Sequence, residues 1–225
     1  MRIVCDCLVV IGFLTKRDDR YGLTADSAVF LDNRSPAYAG SVKNFLASPV
    51  LMAAFRDLAT VVRSGRPLAD VVFSGIEHPV WVEFARSMAP FIYRAAQETA
   101  MLLTCDSEMK VLDVAAGHGL FGITIAQRNP KARIVALDFP SVLKVADENS
   151  RQSGVSERYS LLPGSALEVD QGAGFDVVLI PNFLHSWDRA TNEFFLKKAY
   201  GAMAPKGRVI VVEFTRATDN CLIAL

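Results

Sequence analysis

Two acids and three glycines mark the first place in this 225-residue chain where chemistry could occur. The stretch Asp113-Val114-Ala115-Ala116-Gly117-His118-Gly119-Leu120-Phe121-Gly122 follows an apolar run, and Asp138 closes the next one. Gly117, Gly119 and Gly122 have the G-x-G-x-x-G spacing that lets a backbone turn tightly against a nucleotide, and an acid about twenty residues further on can hold a ribose. Dinucleotide-binding proteins share that spacing, so the glycines alone decide little. Asp113 separates the readings. A pyrophosphate prefers a helix N-terminus without a carboxylate beside it, whereas a ligand with an amino group and a sulfonium is attracted to one. Asp113 with Asp138 therefore favours S-adenosylmethionine over NAD.

A second cluster lies in Pro181-Asn182-Phe183-Leu184-His185-Ser186-Trp187-Asp188, and Glu213-Phe214 ends the apolar run after it. A phenol with pKa near ~10 is a poor nucleophile while protonated, and a neutral imidazole with pKa near ~6.5 can take its proton. A base of that kind typically contributes about 10²–10⁴-fold. A neighbouring carboxylate such as Glu213 can orient the ring and stabilise the imidazolium. The other histidines carry less. His118 reads as a solvated residue of the glycine-rich loop, and His78, before Pro79, as a helix-start or surface residue. Three histidines so dispersed, without Cys or carboxylate partners at ligand spacing, argue against a metal site.

These residues need a frame that brings them together. From 105 to 225 apolar runs alternate with helical patterns, predicting strands over 111–114, 133–138, 159–162, 175–180 and 208–214. Asn129-Pro130 breaks the first intervening helix, Gly154 can terminate the second, and Pro205-Lys206-Gly207 supplies the turn before the last strand. Near-continuous apolar strands alternating with helices imply an α/β fold whose mostly parallel sheet is covered on both faces. Ligands bind such sheets beyond the carboxyl ends of the strands. That edge carries the glycine-rich loop, Asp138, Gly164-Ser165-Ala166, the Asn182–Asp188 stretch and Glu213.

Residues 35–104 read as helical. Ser35-Pro36 and Ser48-Pro49 each place a capping residue before a proline at the first helical position. Val42, Phe45 and Leu46, then Leu51, Phe55, Leu58 and Val62, recur at helical spacing. A longer helix over 79–103 aligns Trp81, Phe84, Met88, Ile92 and Ala95 on one side, as core or as pocket lining, and Pro90 kinks it. Residues 1–34 hold an apolar start and two β-prone runs around Lys16-Arg17-Asp18-Asp19-Arg20, the pattern of a hairpin.

Composition excludes several classes. Twenty-four Lys+Arg balance 24 Asp+Glu, 51% of residues are hydrophobic and 21% charged, so the chain is globular rather than disordered. Balanced charge lacks the electrostatic footprint of a nucleic-acid binder, and no apolar run approaches the ~18 residues that read as a membrane span. Asp6 interrupts the apolar start and no small-residue cleavage site precedes Lys16, which argues against an export signal. Cys5 and Cys7 are too close for an ordinary disulfide or a C-x-x-C clip, while Cys105 and Cys221 stand alone. Reduced thiols in a cytoplasmic protein follow.

With these motifs in place, residues 111–214 resemble the S-adenosylmethionine-dependent methyltransferases of the plant-type, acetylserotonin-like O-methyltransferase group, and the similarity extends back to the hairpin. The resemblance implies a Rossmann-like methyltransferase sheet over 105–225, a helical linker and acceptor-pocket region over 35–104, and a winged-helix remnant over 1–34. Asp113, Ala115, Gly117 and Gly119 match the family's D-x-G-x-G loop around the methionine portion, with alanine replacing the first glycine. Asp138 matches the acid on the ribose, Ser165 and Ala166 the adenine side, and Asn182 a further cofactor contact. His185 matches the catalytic histidine of the L-H-x-W stretch, Glu213 an acid flanking it, and Phe84 and Met88 positions lining the acceptor pocket. Members of the family are longer at both ends and dimerise through N-terminal helices, so the resemblance implies a truncated chain without the dimer helices, the final helix and the closing hairpin. The function implied is methyl transfer to a hydroxyl of a small, aromatic metabolite. A catalytically silent cofactor-binding relative is the alternative, with an NAD-dependent oxidoreductase behind it.

Overall fold

The computed structural model of the chain describes residues 1–35, 37–65, 79–103 and 106–214. Its centre is built from the apolar runs. Strands β3 (Met109–Val114), β4 (Ala132–Asp138), β5 (Tyr159–Pro163), β6 (Phe175–Pro181) and β7 (Met203–Val212) form one sheet in the order β5-β4-β3-β6-β7. All four pairings are parallel. Strands buried on both faces need no polar alternation, and β3 and β6 accordingly hold Val111, Leu112, Val114, Val178, Leu179 and Ile180 in the core.

Helices cover both sides. On one face α6 (Val80–Leu102), α7 (Leu120–Arg128) and α8 (Pro140–Gln152) bury Ala96, Ala100, Ile123, Ile125 and Leu143 against Val111, Ile134 and Val177. On the other, α9 (Arg189–Ala202) packs Phe195 and Ala199 on Leu112, Val114, Val178 and Ile180. Side chains alternate across a strand, so Asp113 points to the α7 side, into apolar surroundings. After β3 the chain builds the sheet through β4 to β5, then crosses to β6 on the other flank of β3. That reversal opens a crevice beyond the carboxyl ends of β3 and β6.

The helix punctuation follows the expected chemistry. Asp188 caps α9, its Oδ1 accepting from the Thr191 amide at 2.8 Å, and Gly154 follows α8 in the left-handed region at φ +70°. Ser48 caps α4 (Pro49–Arg56) through its hydroxyl. Ser35 does not start a helix: its hydroxyl accepts from the Ala37 amide in a turn, and the next helix is α3 (Val42–Leu46). Strand β7 begins at Met203 rather than 208, because Met203 pairs with Phe175. Pro205-Lys206-Gly207 therefore forms an irregularity within the strand, with Lys206 at φ +69°, instead of a turn that precedes it.

At the N-terminus α1 (Arg2–Val10) precedes a hairpin of β1 (Leu14–Arg17) and β2 (Arg20–Leu23), and α2 (Ala25–Phe30) and α5 (Leu58–Ser64) are further helices. Asp18 and Asp19 both have positive φ, as a two-residue type I′ turn requires. Asp6 of α1 ties to the hairpin by accepting from Lys16 Nζ at 2.6 Å and Tyr21 Oη at 2.8 Å. Cys5 and Cys7 are free thiols; Cys105, Cys221 and His78 lie outside the described residues. Among the described residues no helix is long and apolar enough to cross a membrane.

Candidate active site

The loop after β3 turns by placing Ala115, Gly117 and Gly119 in the left-handed region, at φ +52°, +58° and +76°. Alanine is tolerated there at a cost of roughly 1–2 kcal/mol. At Gly119 space as well as φ excludes a side chain, since a Cβ would lie 2.6 Å from Tyr159 Oη. Gly122 serves helix–sheet packing: a Cβ there would lie 2.7 Å from Ile134 Cγ2 and 2.9 Å from Asp113 Oδ2.

The two acids sit differently. Asp138, at the end of β4, accepts from the Gly117 amide at 2.8 Å and from the Phe139 amide at 2.7 Å. Burial raises its pKa to about 6, against the lowering effect of those two amides. It remains partly open to solvent, and a carboxylate has lone pairs beyond the two in use. Asp113 is fully buried under the loop, where its Oδ2 accepts from the Gly122 amide at 3.0 Å. Its Oδ1 is buried with no hydrogen-bond partner. Burial pushes Asp113 to about 7; the Gly122 amide lowers it and the Asp138 charge adds to the rise. Asp113 thus holds the start of α7 from beneath, with one acceptor still open.

His118 departs from the solvated residue expected. It is buried, its Nδ1 accepts from the Leu120 amide at 3.0 Å, and Asn149 Nδ2 donates to its carbonyl. Burial pulls its pKa down to about 4, so the ring is neutral with its proton on Nε2. The loop's short spacing gave no hint of this burial.

Beyond β5, the Gly164 amide donates to the Asp138 carbonyl at 2.9 Å, tying the two strand ends together. Ser165 accepts from the Leu167 amide within its own turn, retaining a hydroxyl proton to give, and Ala166 is buried. Asn182, just past β6, takes φ +49° and its amide donates to the Val212 carbonyl at 2.7 Å.

His185 sits in a short 3₁₀ turn, Leu184–Ser186, between β6 and α9. Its Nδ1 lies 2.7 Å from Glu213 Oε2. Glu213 is largely buried and His185 half exposed, with side-chain exposures of 14% and 54%. The other oxygen of Glu213 accepts from the Leu184 amide at 2.7 Å. A carboxylate beside Nδ1 favours the Nδ1–H tautomer, which leaves Nε2 as an acceptor with no hydrogen-bond partner among the described residues.

Residues 84–221 match the family model of the O-methyltransferase domain. The chain belongs to the S-adenosylmethionine-dependent O-methyltransferase family. The mitomycin biosynthesis 6-O-methyltransferase of Streptomyces lavendulae is 29% identical over 204 residues, which cover 87% of this chain and 58% of that protein. The 3-amino-4-hydroxybenzoate 4-O-methyltransferase of Streptomyces cremeus is 36% identical over 115 residues, 50% of this chain and 31% of that one. Among solved structures, a candidate O-methyltransferase from Nostoc punctiforme superposes with a TM-score of 0.87 at 48% identity, covering 93% of this chain and 63% of its own. The chain therefore spans less than two thirds of the length of these relatives.

Within this methyltransferase fold the structure joins some sequence-derived site residues and leaves others apart. Gly117, Asp138 and Gly164 form one hydrogen-bonded group, and His185 and Glu213 another. Phe84 stacks edge-on with Phe45 (5.1 Å between ring centroids) and Trp81 (6.1 Å), and Met88 packs partly buried against the α7 side of the core. No hydrogen bond or ring contact among the described residues links either of them to His185. Two residues were missed by sequence reasoning. Asn192, on the first turns of α9, donates through Nδ2 to the carbonyls of Leu184 and Trp187. Tyr159 opens β5, and its ring props the glycine-rich loop. Neither belongs to a motif, and only three-dimensional proximity reveals them.

Proposed function

We propose that this chain transfers the methyl group of S-adenosylmethionine to a hydroxyl of a small aromatic metabolite, with His185 as general base. The observation that carries the reading is the His185–Glu213 pair on a half-exposed turn at the same sheet edge as the glycine-rich loop. Residues present on that edge fit the cofactor. Asp138 offers a carboxylate to ribose hydroxyls, and Ala115, Gly117 and Gly119 expose backbone to the methionine portion. Asp113 supports that loop with an open acceptor, Ser165 and Ala166 border the adenine side, and Asn182 is a further cofactor contact. Phe84 and Met88 are assigned to the acceptor side of the helical region 35–104, ahead of the cofactor domain 105–225. The segment 1–34, a helix followed by a hairpin, is read as part of a winged-helix unit.

The cofactor, when bound, supplies an electrophilic methyl carbon on a sulfonium sulfur. Everything else falls to the protein. The acceptor hydroxyl would give its proton to His185 Nε2 while its oxygen takes the methyl group and the carbon–sulfur bond breaks to leave a neutral thioether, and Glu213 would neutralise the imidazolium through Nδ1–H. Holding oxygen and methyl in line can contribute more than the base does, since effective molarities reach ~10⁵–10⁸ M. Relatives show that the acceptor atom varies: one is an L-tyrosine C(3)-methyltransferase and another a phenazine-1-carboxylate N-methyltransferase. An imidazole backed by a carboxylate suits an acceptor that must lose a proton, which favours the hydroxyl over an unprotonated ring nitrogen.

Two measurements test the reading. A thermal melt with S-adenosylhomocysteine at ~100 times its Kd is expected to gain about 2.7 kcal/mol of stability, a rise of several degrees. His185→Ala is expected to keep that rise and lose turnover by about 10²–10⁴-fold. Undiminished turnover in His185→Ala removes the general base; a melt that ignores the cofactor removes the cofactor assignment.

A further inference from the structure

The turn that carries His185 is only three residues long, and its ring has one polar partner among the described residues, so where Nε2 points depends on what fixes the backbone beneath it. Glu213 supplies half of that control, taking the amide of Leu184 at 2.7 Å and that of His185 at 3.4 Å. The other half comes from Asn192. Its Nδ2 donates to the Leu184 carbonyl at 2.9 Å and to the Trp187 carbonyl at 3.2 Å, gripping both ends of the turn with the two hydrogens of one amide. The opposite amide orientation would set Oδ1 against two carbonyl oxygens, so the donors are unambiguous. Asn192 Oδ1 is itself buried without a partner. A buried acceptor left unpaired lowers stability, yet the position keeps an amide where an apolar side chain would avoid that cost. Asp188 anchors the helix start just before it, which makes Asn192 a rigid post.

We propose that Asn192 is a positioning residue for the proposed base: it clamps the turn so that Glu213 meets His185 Nδ1 and Nε2 is left free. The inference rests on the reading of His185 as general base. It explains why a carboxylate and an amide, from two different elements, satisfy its amides and carbonyls respectively.

The test is the tautomer of His185 in ¹⁵N-labelled protein near pH 8, with no acceptor or cofactor needed. Glu213 holds the Nδ1–H form in the wild-type chain. His118, whose Nδ1 accepts from Leu120, holds the Nε2–H form and serves as an internal control. In Asn192→Leu, which matches the shape without donors, His185 is expected to relax toward the ordinary mixture of tautomers. His118 stays unchanged and Tm moves by no more than a few degrees. Asn192→Asp, with no donor of its own, gives the same result and covers a failure of the leucine variant to fold. A wild-type tautomer at His185 in either folded variant overturns the proposal. So does a change at both histidines accompanied by a collapse of Tm, which marks general damage to the fold. Full turnover in His185→Ala overturns the general-base reading instead, whatever the tautomers show.

Discussion

Glu213 divides its carboxylate between two tasks: Oε2 meets the His185 ring at 2.7 Å, and Oε1 holds the Leu184 amide at the same distance. One side chain thus sets both the tautomer of the ring and the position of the turn beneath it.

Glu213→Gln separates those tasks. The glutamine carbonyl can still accept from Leu184, but its NH₂ then faces His185 Nδ1 and makes that nitrogen the acceptor. The proton moves to Nε2, where the acceptor hydroxyl needs a base. Turnover is expected to fall by at least 10²-fold with cofactor binding retained, the same logic as a triad acid replaced by its amide. Steady-state kinetics beside an S-adenosylhomocysteine melt checks it. A variant within a few-fold of wild type would show that the acid has no such role.

Much of this arrangement was legible in the sequence. The apolar runs place all five sheet strands, and Gly117, Asp138, His185 and Glu213 can be put on one edge from their positions after those runs. Other features were not legible, Asn192 and Tyr159 among them. His118 is buried, and its carbonyl accepts from Asn149 of α8, a long-range contact. Asp113 lies beneath the loop rather than on its surface, because alternation along β3 sends it toward α7. Pro205-Lys206-Gly207 reads as a turn from composition, yet Met203 pairs with Phe175 before it and draws it into β7. Each depends on which element packs where, which local patterns do not encode.

As the proposed ribose acid, Asp138 is expected to give cofactor binding a pH dependence. Burial raises its pKa to about 6, and ribose hydroxyls are best bound by the ionised form. Below pH 6 the free protein must release a proton to bind, so affinity is expected to weaken up to about ten-fold per pH unit on acidification from this group. Asp138→Asn should weaken binding at pH 7.5 by roughly 10–100-fold, the range of a hydrogen bond to a charged group, and flatten that dependence. Calorimetric titration with S-adenosylhomocysteine across pH 5–8 measures both. Affinity that is level with pH in the wild-type chain counts against Asp138 as the ribose acid.

Asp113 acts on stability. Its folded pKa of about 7 exceeds the unfolded value near ~3.9, so the native state binds more protons between those limits. Its contribution is fully present below about pH 4 and declines by up to about 1.4 kcal/mol per unit as pH rises to about 7. Asp113→Asn removes that slope. The variant is expected to gain on wild type by a few kcal/mol between pH 5 and 7.5, read from denaturant unfolding at the two pH values. His118, with its pKa pulled to about 4, acts in the opposite sense but is present in both proteins and cancels. Parallel stability curves would mean that Asp113 is ionised throughout.

Gly119 and Tyr159 offer a test of the loop itself. A Cβ at Gly119 meets Tyr159 Oη at 2.6 Å, Ala146 Cβ at 3.0 Å and Ile123 Cδ1 at 3.2 Å, while φ +76° strains any side chain. Gly119→Ala therefore combines a steric clash with a left-handed backbone cost of roughly 1–2 kcal/mol. The expected result is a lower Tm and cofactor binding weakened by at least ten-fold, because α7 and the loop must move apart. Tyr159→Phe alone removes a buried hydroxyl that has no partner, so it should be neutral or slightly stabilising. Combined, the two changes relieve the closest contact but not the backbone strain. Tyr159→Phe should thus restore part of the stability lost in Gly119→Ala, a coupling that independent sites lack. Additive effects in the double variant would show that the phenol does not limit the loop.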